Sequence, residues 1–277
     1  MQIWHAILLG IVEGITEFLP ISSTGHLTIV EKLLGYHINS QSITAFTAII
    51  QIGSILAAVV YFRKDIVRIL GGWITGIFDK TQRNNNYKLG WAVIIGTVPI
   101  ALVGFSLKGV VETVFRSLWW VSAALVLFSV VMFIADRVGR EGKREKDISM
   151  SDSAFIGLMQ CLALISGVSR SGSTISAALF KGYTRESATR LSFYVGIPAL
   201  LAAGAYEAFS QYKNISLGVG WTPTIVATVT SFIVAYGAIA WLLKYVSKNN
   251  FSIFIWYRVI VGLIIAGLLS FGILSAL

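Results

Sequence analysis

The chain has 277 residues, of which 56% are hydrophobic and only 13% charged, against about 25% in an average soluble domain. That composition excludes an ordinary soluble protein. The formal charge of +9 would suit nucleic acid in a soluble chain, but here the basic residues cluster in loops between apolar runs, so membrane topology explains them and no nucleic-acid partner is expected.

The first element is an apolar helix that runs into "EGITEFLPISSTGH", residues 13–26. Pro20 lacks a backbone donor and disfavours helix at Leu19, so the helix should break there. No basic region or small-residue cleavage site marks a removable signal before it. Charge-free runs follow at 43–62, 91–107 and 118–134. A second broken segment comes next, an uncharged stretch over 153–169 that ends in "SGVSRSGST". The last spans read at about 191–209, 222–243 and 253–276. Crossing a bilayer takes roughly 17–25 apolar residues, which these runs supply. They are continuous rather than alternating, which excludes a β-barrel. The lone Cys161 excludes an internal disulfide and reads as a small buried hydrophobe.

The two broken segments repeat each other. "GIVEGITEFLPISSTGHL" from residue 10 lies over "GLMQCLALISGVSRSGST" from residue 157. Gly10 meets Gly157, Glu13 meets Gln160, Ser22 meets Ser169 and Gly25 meets Gly172. At a shorter offset, "FRSLWWVSAAL" (115–125) echoes "FSIFIWYRVIV" (251–261). Each half is therefore a broken helix plus three spans, and an odd number of spans inserts the halves in opposite orientations, as in many transporters. The expectation is an all-α polytopic membrane protein with about six transmembrane helices. Two re-entrant helical hairpins should meet near the midplane, where non-helical backbone survives only if buried in protein or lining a wet cavity. The whole chain, 1–277, is one integral membrane domain with pseudo-repeats 1–140 and 150–277. Loop charge agrees. Loops 62–90, 136–150, 181–190 and 244–250 hold six, five, three and two Lys or Arg, while loops 30–42, 106–117 and 210–221 together hold four. The basic loops belong in the cytoplasm and both termini outside.

Glu13 and Glu17 are four apart on one helical face and repel. In low dielectric such a pair calls for a proton, a cation or a cationic substrate, and a divalent metal is a natural answer. The hydroxyls of Ser22, Ser23 and Thr24 suit capping of the next helix, leaving its amides aimed at an anion. Ser23 with His26 three residues on is also a nucleophile–base arrangement. Arg170 carries the planar fork that suits phosphate, with hydroxyls at Ser169, Ser171, Ser173 and Thr174 around it. Arg258, just inside the last span, is expected to snorkel to the interface. Carboxylates and a histidine from one half, arginine and hydroxyls from the other, suit metal-assisted phosphoryl transfer.

"EGITE" followed by "FLPISSTGH" resembles the first signature of bacterial undecaprenyl-diphosphate phosphatases of the bacitracin-resistance type. "SGVSRSGST" resembles the second, Pro-Gly-x-Ser-Arg-Ser-x-x-Thr, with Ser166 at the family's proline position. The resemblance covers essentially the whole chain. It implies hydrolysis of undecaprenyl diphosphate to the monophosphate carrier and inorganic phosphate, which recycles the carrier for cell-wall synthesis. It also implies a divalent cation (Mg²⁺ or Ca²⁺), bacitracin resistance on overproduction, and a multi-pass protein of the bacterial inner (plasma) membrane. The site would face the outer side, with membrane lipids around it. By the same resemblance Glu17, Ser23, His26 and Arg170 are catalytic, and Glu13 and Glu17 hold metal. Ser22, Thr24, Ser169, Ser171, Ser173 and Thr174 bind substrate. The nucleophile stays open among Ser23, His26 and water, and so does the oligomeric state, a homodimer included. Lipid phosphatases of the phosphatidic-acid type need a further downstream His, and no His follows His37. A reading of another class, a transporter or flippase of an anionic lipid or phosphate compound, would use the same architecture.

Overall fold

The computed structural model describes residues 1–38, 40–107, 109, 117–139 and 142–276. Parts of loops 106–117 and 136–150, and Phe115 and Arg116 of the second repeat echo, lie outside them. The described chain is helical. Its long helices are α1 (Ile3–Thr16), α2 (Ser23–Leu33), α3 (Gln41–Tyr61), α4 (Arg63–Phe78), α5 (Asn85–Ser106), α6 (Leu118–Val138), α7 (Met150–Gln160), α8 (Arg170–Phe180), α9 (Arg185–Leu217), α10 (Trp221–Val246) and α11 (Ser252–Ser270). Six of them, α3, α5, α6, α9, α10 and α11, are long and apolar enough to cross a membrane. They correspond to the six spans expected at 43–62, 91–107, 118–134, 191–209, 222–243 and 253–276, although α11 stops at Ser270. This is an all-α polytopic membrane protein.

Two parts of the sequence reading need correction. The 62–90 segment is not a loop throughout, since it contains α4 and the start of α5. In addition, α9 runs to Leu217, well beyond the span expected at 191–209. The extra helix α4 sits in the first half alone, between the two regions where the repeat offset changes.

The loops gather at two ends. At one end Arg190 pairs with Asp65 at 2.7 Å and Glu145 at 3.1 Å. Beside them Arg185 pairs with Asp136 at 2.6 Å, and the Phe251 amide donates to the same carboxylate at 3.1 Å. The four basic loops therefore share one end of the bundle. At the other end the Met1 amine donates to the Val219 carbonyl at 3.3 Å, and the Leu118 amide to that of Ala276 at 3.0 Å. Met1 and Ala276 both lie here.

Each broken segment is a hairpin that starts and finishes at the same end. α1 begins beside Val219, and α2 returns so that Lys32 reaches Ser275 Oγ at 2.9 Å. α7 begins where Asp152 meets Lys143 at 3.5 Å, and after α8 the Tyr183 hydroxyl donates to that Asp152 at 2.9 Å. The hairpins thus start from opposite ends of the bundle, and their tips touch where Ser171 Oγ donates to the Leu19 carbonyl at 3.0 Å. Glycines let the helices approach closely. A Cβ on Gly10 would stand 2.5 Å from the Ala227 carbonyl oxygen of α10, and one on Gly157 would stand 2.6 Å from that of Gly96 in α5. Each hairpin is thereby packed against a span of the other half.

Candidate active site

The two hairpin turns are built alike. Ser22 and Ser169 have φ of 77° and 78° and are the only non-glycine residues at positive φ among the described residues. Such backbone is uncommon for an L-residue and clusters at functional sites. Each serine caps the helix it opens: Ser22 Oγ accepts from Gly25 N at 3.4 Å, and Ser169 Oγ from Gly172 N at 3.1 Å. The first residues of α2 and α8 then face one cavity of about 530 Å³. Gly167, at φ +103°, makes the second turn although Ser166 stands where the related pattern has proline. A Cβ at Gly167 would stand 2.5 Å from the Val121 carbonyl oxygen, so close approach as well as conformation requires glycine there.

Glu17, Ser22, Ser23, Thr24, Ser169 and Arg170 line the polar floor of this cavity. Ser23 Oγ donates to Glu17 Oε2 at 2.7 Å, and Gln51 Nε2 donates to the same oxygen at 3.2 Å. Arg170 Nη2 lies 3.6 Å from Glu17 Oε1, an ion pair too long for a hydrogen bond. Arg170 Nη1 donates to the Ser192 carbonyl at 3.2 Å. Its Nε and Nη2 are buried without a hydrogen-bond partner. A buried, unfilled donor costs about 1–3 kcal/mol, more when charged. Two such atoms on one arginine at a cavity wall equip it to grip the oxygens of an anion.

The other candidates lie elsewhere. Glu13 is buried one turn deeper than Glu17, does not line the cavity, and accepts a long bond from Ser54 Oγ at 3.5 Å. His26 is turned away from the cavity. Its Nδ1 donates to the Ser22 carbonyl at 2.7 Å, so in the neutral ring Nε2 accepts from the Tyr257 hydroxyl at 2.8 Å. Both ring nitrogens are thereby occupied. Ser171, Ser173 and Thr174 are buried off the cavity. Ser171 spends its hydroxyl on Leu19, and Ser173 and Thr174 donate to the Arg170 carbonyl at 3.0 and 2.9 Å. They brace the turn that presents Arg170.

The walls above this floor are apolar, built by Ile100, Ala101, Phe105, Leu200 and Ala203 of α5 and α9. A polar floor with an arginine and two helix N-termini, under an apolar slot between two spans, suits a lipid with an anionic headgroup. The profile of the family described as bacitracin resistance protein BacA matches residues 6–264. This chain belongs to the BacA family. An undecaprenyl-diphosphatase of Cutibacterium acnes is 55% identical over 98% of this chain and 99% of its own length. Undecaprenyl-diphosphatase 3 of Frankia casuarinae is 52% identical over the full length of both. Undecaprenyl-diphosphatase 1 of Streptomyces avermitilis is 47% identical over 99% of each.

Sequence reading of this BacA-family chain missed Gln51, Gly196 and Tyr257. Gln51 had a signal, a polar side chain inside the charge-free run at 43–62. Gly196 had none, although a Cβ there would overlap Nη1 of Arg170. Arg258 was misplaced. It does not snorkel, being fully buried, because backbone carbonyls rather than headgroups receive its donors.

Proposed function

We propose that this chain is an integral membrane phosphatase that hydrolyses undecaprenyl diphosphate to undecaprenyl phosphate and inorganic phosphate, returning the lipid carrier to cell-wall synthesis. The observation that carries the reading is Arg170, buried at the cavity floor with unfilled donors, opposite the Glu17–Ser23 pair. The names of the full-length relatives support it and give no support to a transporter.

In this reading the diphosphate sits between the N-termini of α2 and α8, whose amides and dipoles favour an anion. The prenyl chain leaves between α5 and α9. Ser23 Oγ attacks the terminal phosphorus and its proton passes to Glu17 Oε2, to which it is already bonded at 2.7 Å. The bond from phosphorus to the bridging oxygen breaks, and undecaprenyl phosphate departs as an anion. Water then releases phosphate from Ser23, with Glu17 handling the proton. Arg170 stabilises charge on the phosphoryl oxygens throughout. His26 positions the turn rather than moving protons.

A divalent cation, Mg²⁺ or Ca²⁺, fits the donor chemistry. Glu17 presents carboxylate oxygens to the cavity beside the Ser23 hydroxyl, and such ions commonly take one or two carboxylates plus substrate phosphates. Glu17 would hold it, with Glu13 adding negative charge from one turn deeper. When bound, such an ion would offset part of the diphosphate's negative charge.

The two hairpins are re-entrant in this reading, and the protein lies in the bacterial inner membrane with its basic end cytoplasmic. The slot at Ile100–Phe105 and Ala199–Glu207 then opens towards the terminal, outer end. Phosphate release from a long-chain prenyl diphosphate by the purified protein tests the reading. Release that a chelator abolishes is the expected result, and no release in the presence of Mg²⁺ or Ca²⁺ would overturn it.

A further inference from the structure

Two arginines are buried in the bundle, and they are used in opposite ways. Arg170 keeps donors unfilled. Arg258, on α11, has all five of its N–H groups engaged. Nε donates to Ser129 Oγ at 3.2 Å, and Nη1 to the carbonyls of Pro20 at 3.2 Å and Val168 at 3.0 Å. Nη2 donates to the carbonyls of Gly167 at 3.0 Å and Ala124 at 3.4 Å. No carboxylate pairs with it among the described residues. An arginine inside a membrane protein is costly, and one without a counter-ion asks what it is kept for.

The acceptors answer that. Three of the five belong to the two hairpin turns. Pro20 lies in the turn that follows Glu17, while Gly167 and Val168 lead into Ser169 and Arg170. These turns leave the helical ladder, and their buried carbonyls need partners. One planar, rigid fork reaches both turns at once. Lysine offers three donors from a single point and cannot span them in the same way.

We propose that Arg258 is the positioning residue of this site: by tying the two hairpin tips together it sets the spacing of Glu17 and Arg170. This rests on the phosphatase reading above. Arg258 does not line the cavity, so it acts through the turns and not on the substrate. The preceding residue, Tyr257, holds His26 of the first hairpin, so α11 grips that hairpin at two points.

The test is to purify wild type, Arg258→Lys, Ser129→Ala, Arg170→Lys and the Arg170→Lys/Arg258→Lys double variant, and to measure kcat, KM and melting temperature for each. Misplacement of a reacting group by about 1 Å costs on the order of 10²-fold, so Arg258→Lys should lose about 10- to 100-fold in kcat with KM little changed. Ser129→Ala removes one acceptor and leaves the fold intact, and a single hydrogen bond corresponds to about twofold to tenfold in kcat. In the Arg170→Lys background, Arg258→Lys should cost far less than it does alone, because the group it positions is already impaired. A purely structural arginine would instead lower the melting temperature, spare kcat per folded molecule and combine with Arg170→Lys in full. If Arg258→Lys does not fold, Ser129→Ala decides, and its turning over at the wild-type rate overturns the proposal. An inactive wild type would sink the phosphatase reading itself, whereas an active wild type with normal Ser129→Ala and Arg258→Lys sinks the positioning role alone.

Discussion

At the scale of single residues, direction separates groups that the sequence makes look alike. Glu13 and Glu17 share a helical face, and both are buried. Only Glu17 reaches the cavity, where it meets Ser23, Gln51 and Arg170. Glu17→Gln keeps the shape and removes the charge, so turnover should fall at least about 10²-fold, the usual worth of a positioned acid or base. Glu13→Gln should cost clearly less, since it faces Ser54 and its repeat partner is Gln160. Measuring kcat for both on purified protein checks this, and equal, wild-type rates would refute a catalytic role for the pair. Residue types and spacing were legible in the chain: the acids, the hydroxyls and Arg170 all stand in the two matching segments. Which way each side chain turns was not, because tertiary contacts decide it. Ser173 and Thr174 point back to their own turn, and His26 is held by Tyr257, 231 positions away. Arg258 was misread for the same reason, since a lone charge near a helix start looks interfacial until the carbonyls around it are known.

At the scale of elements, the spans could be read from uncharged runs and the breaks from Pro20, Gly167 and the serines. The amphipathic α4 could not. It opens with Arg63, Lys64 and Asp65, so a search for charge-free runs passes over it. In the fold it exposes Val67, Leu70, Ile74 and Phe78 and packs Gly72 and Gly76 against Asn86 and Tyr87. The packing of hairpins on spans depends on missing side chains. Gly10→Val would drive a side chain into the Ala227 carbonyl, and overpacking of this kind costs about 1–3 kcal/mol. The expected outcome is a lower melting temperature in detergent. Gly71→Ala, with open space around it, serves as the control and should leave the melting temperature unchanged or slightly raised.

At the scale of the whole molecule, two hairpins that start from opposite ends of the bundle bring unlike chemistry to one place, a carboxylate and hydroxyls from one and an arginine from the other. The ends differ in charge, and four basic loops share one of them. A reporter fused at the C-terminus should therefore read outside the cytoplasm, and one inserted in the 142–146 loop should read inside. The same side for both would contradict the arrangement. In the phosphatase reading Arg170 keeps its donors for phosphate, and turnover and melting temperature measured on one preparation of Arg170→Lys probe that role. Lysine keeps the charge but loses the two-pronged geometry. The expected result is an unchanged melting temperature and a turnover lower by about 10²–10³-fold, the cost of losing comparable oxyanion donors. Wild-type turnover per folded molecule would contradict it.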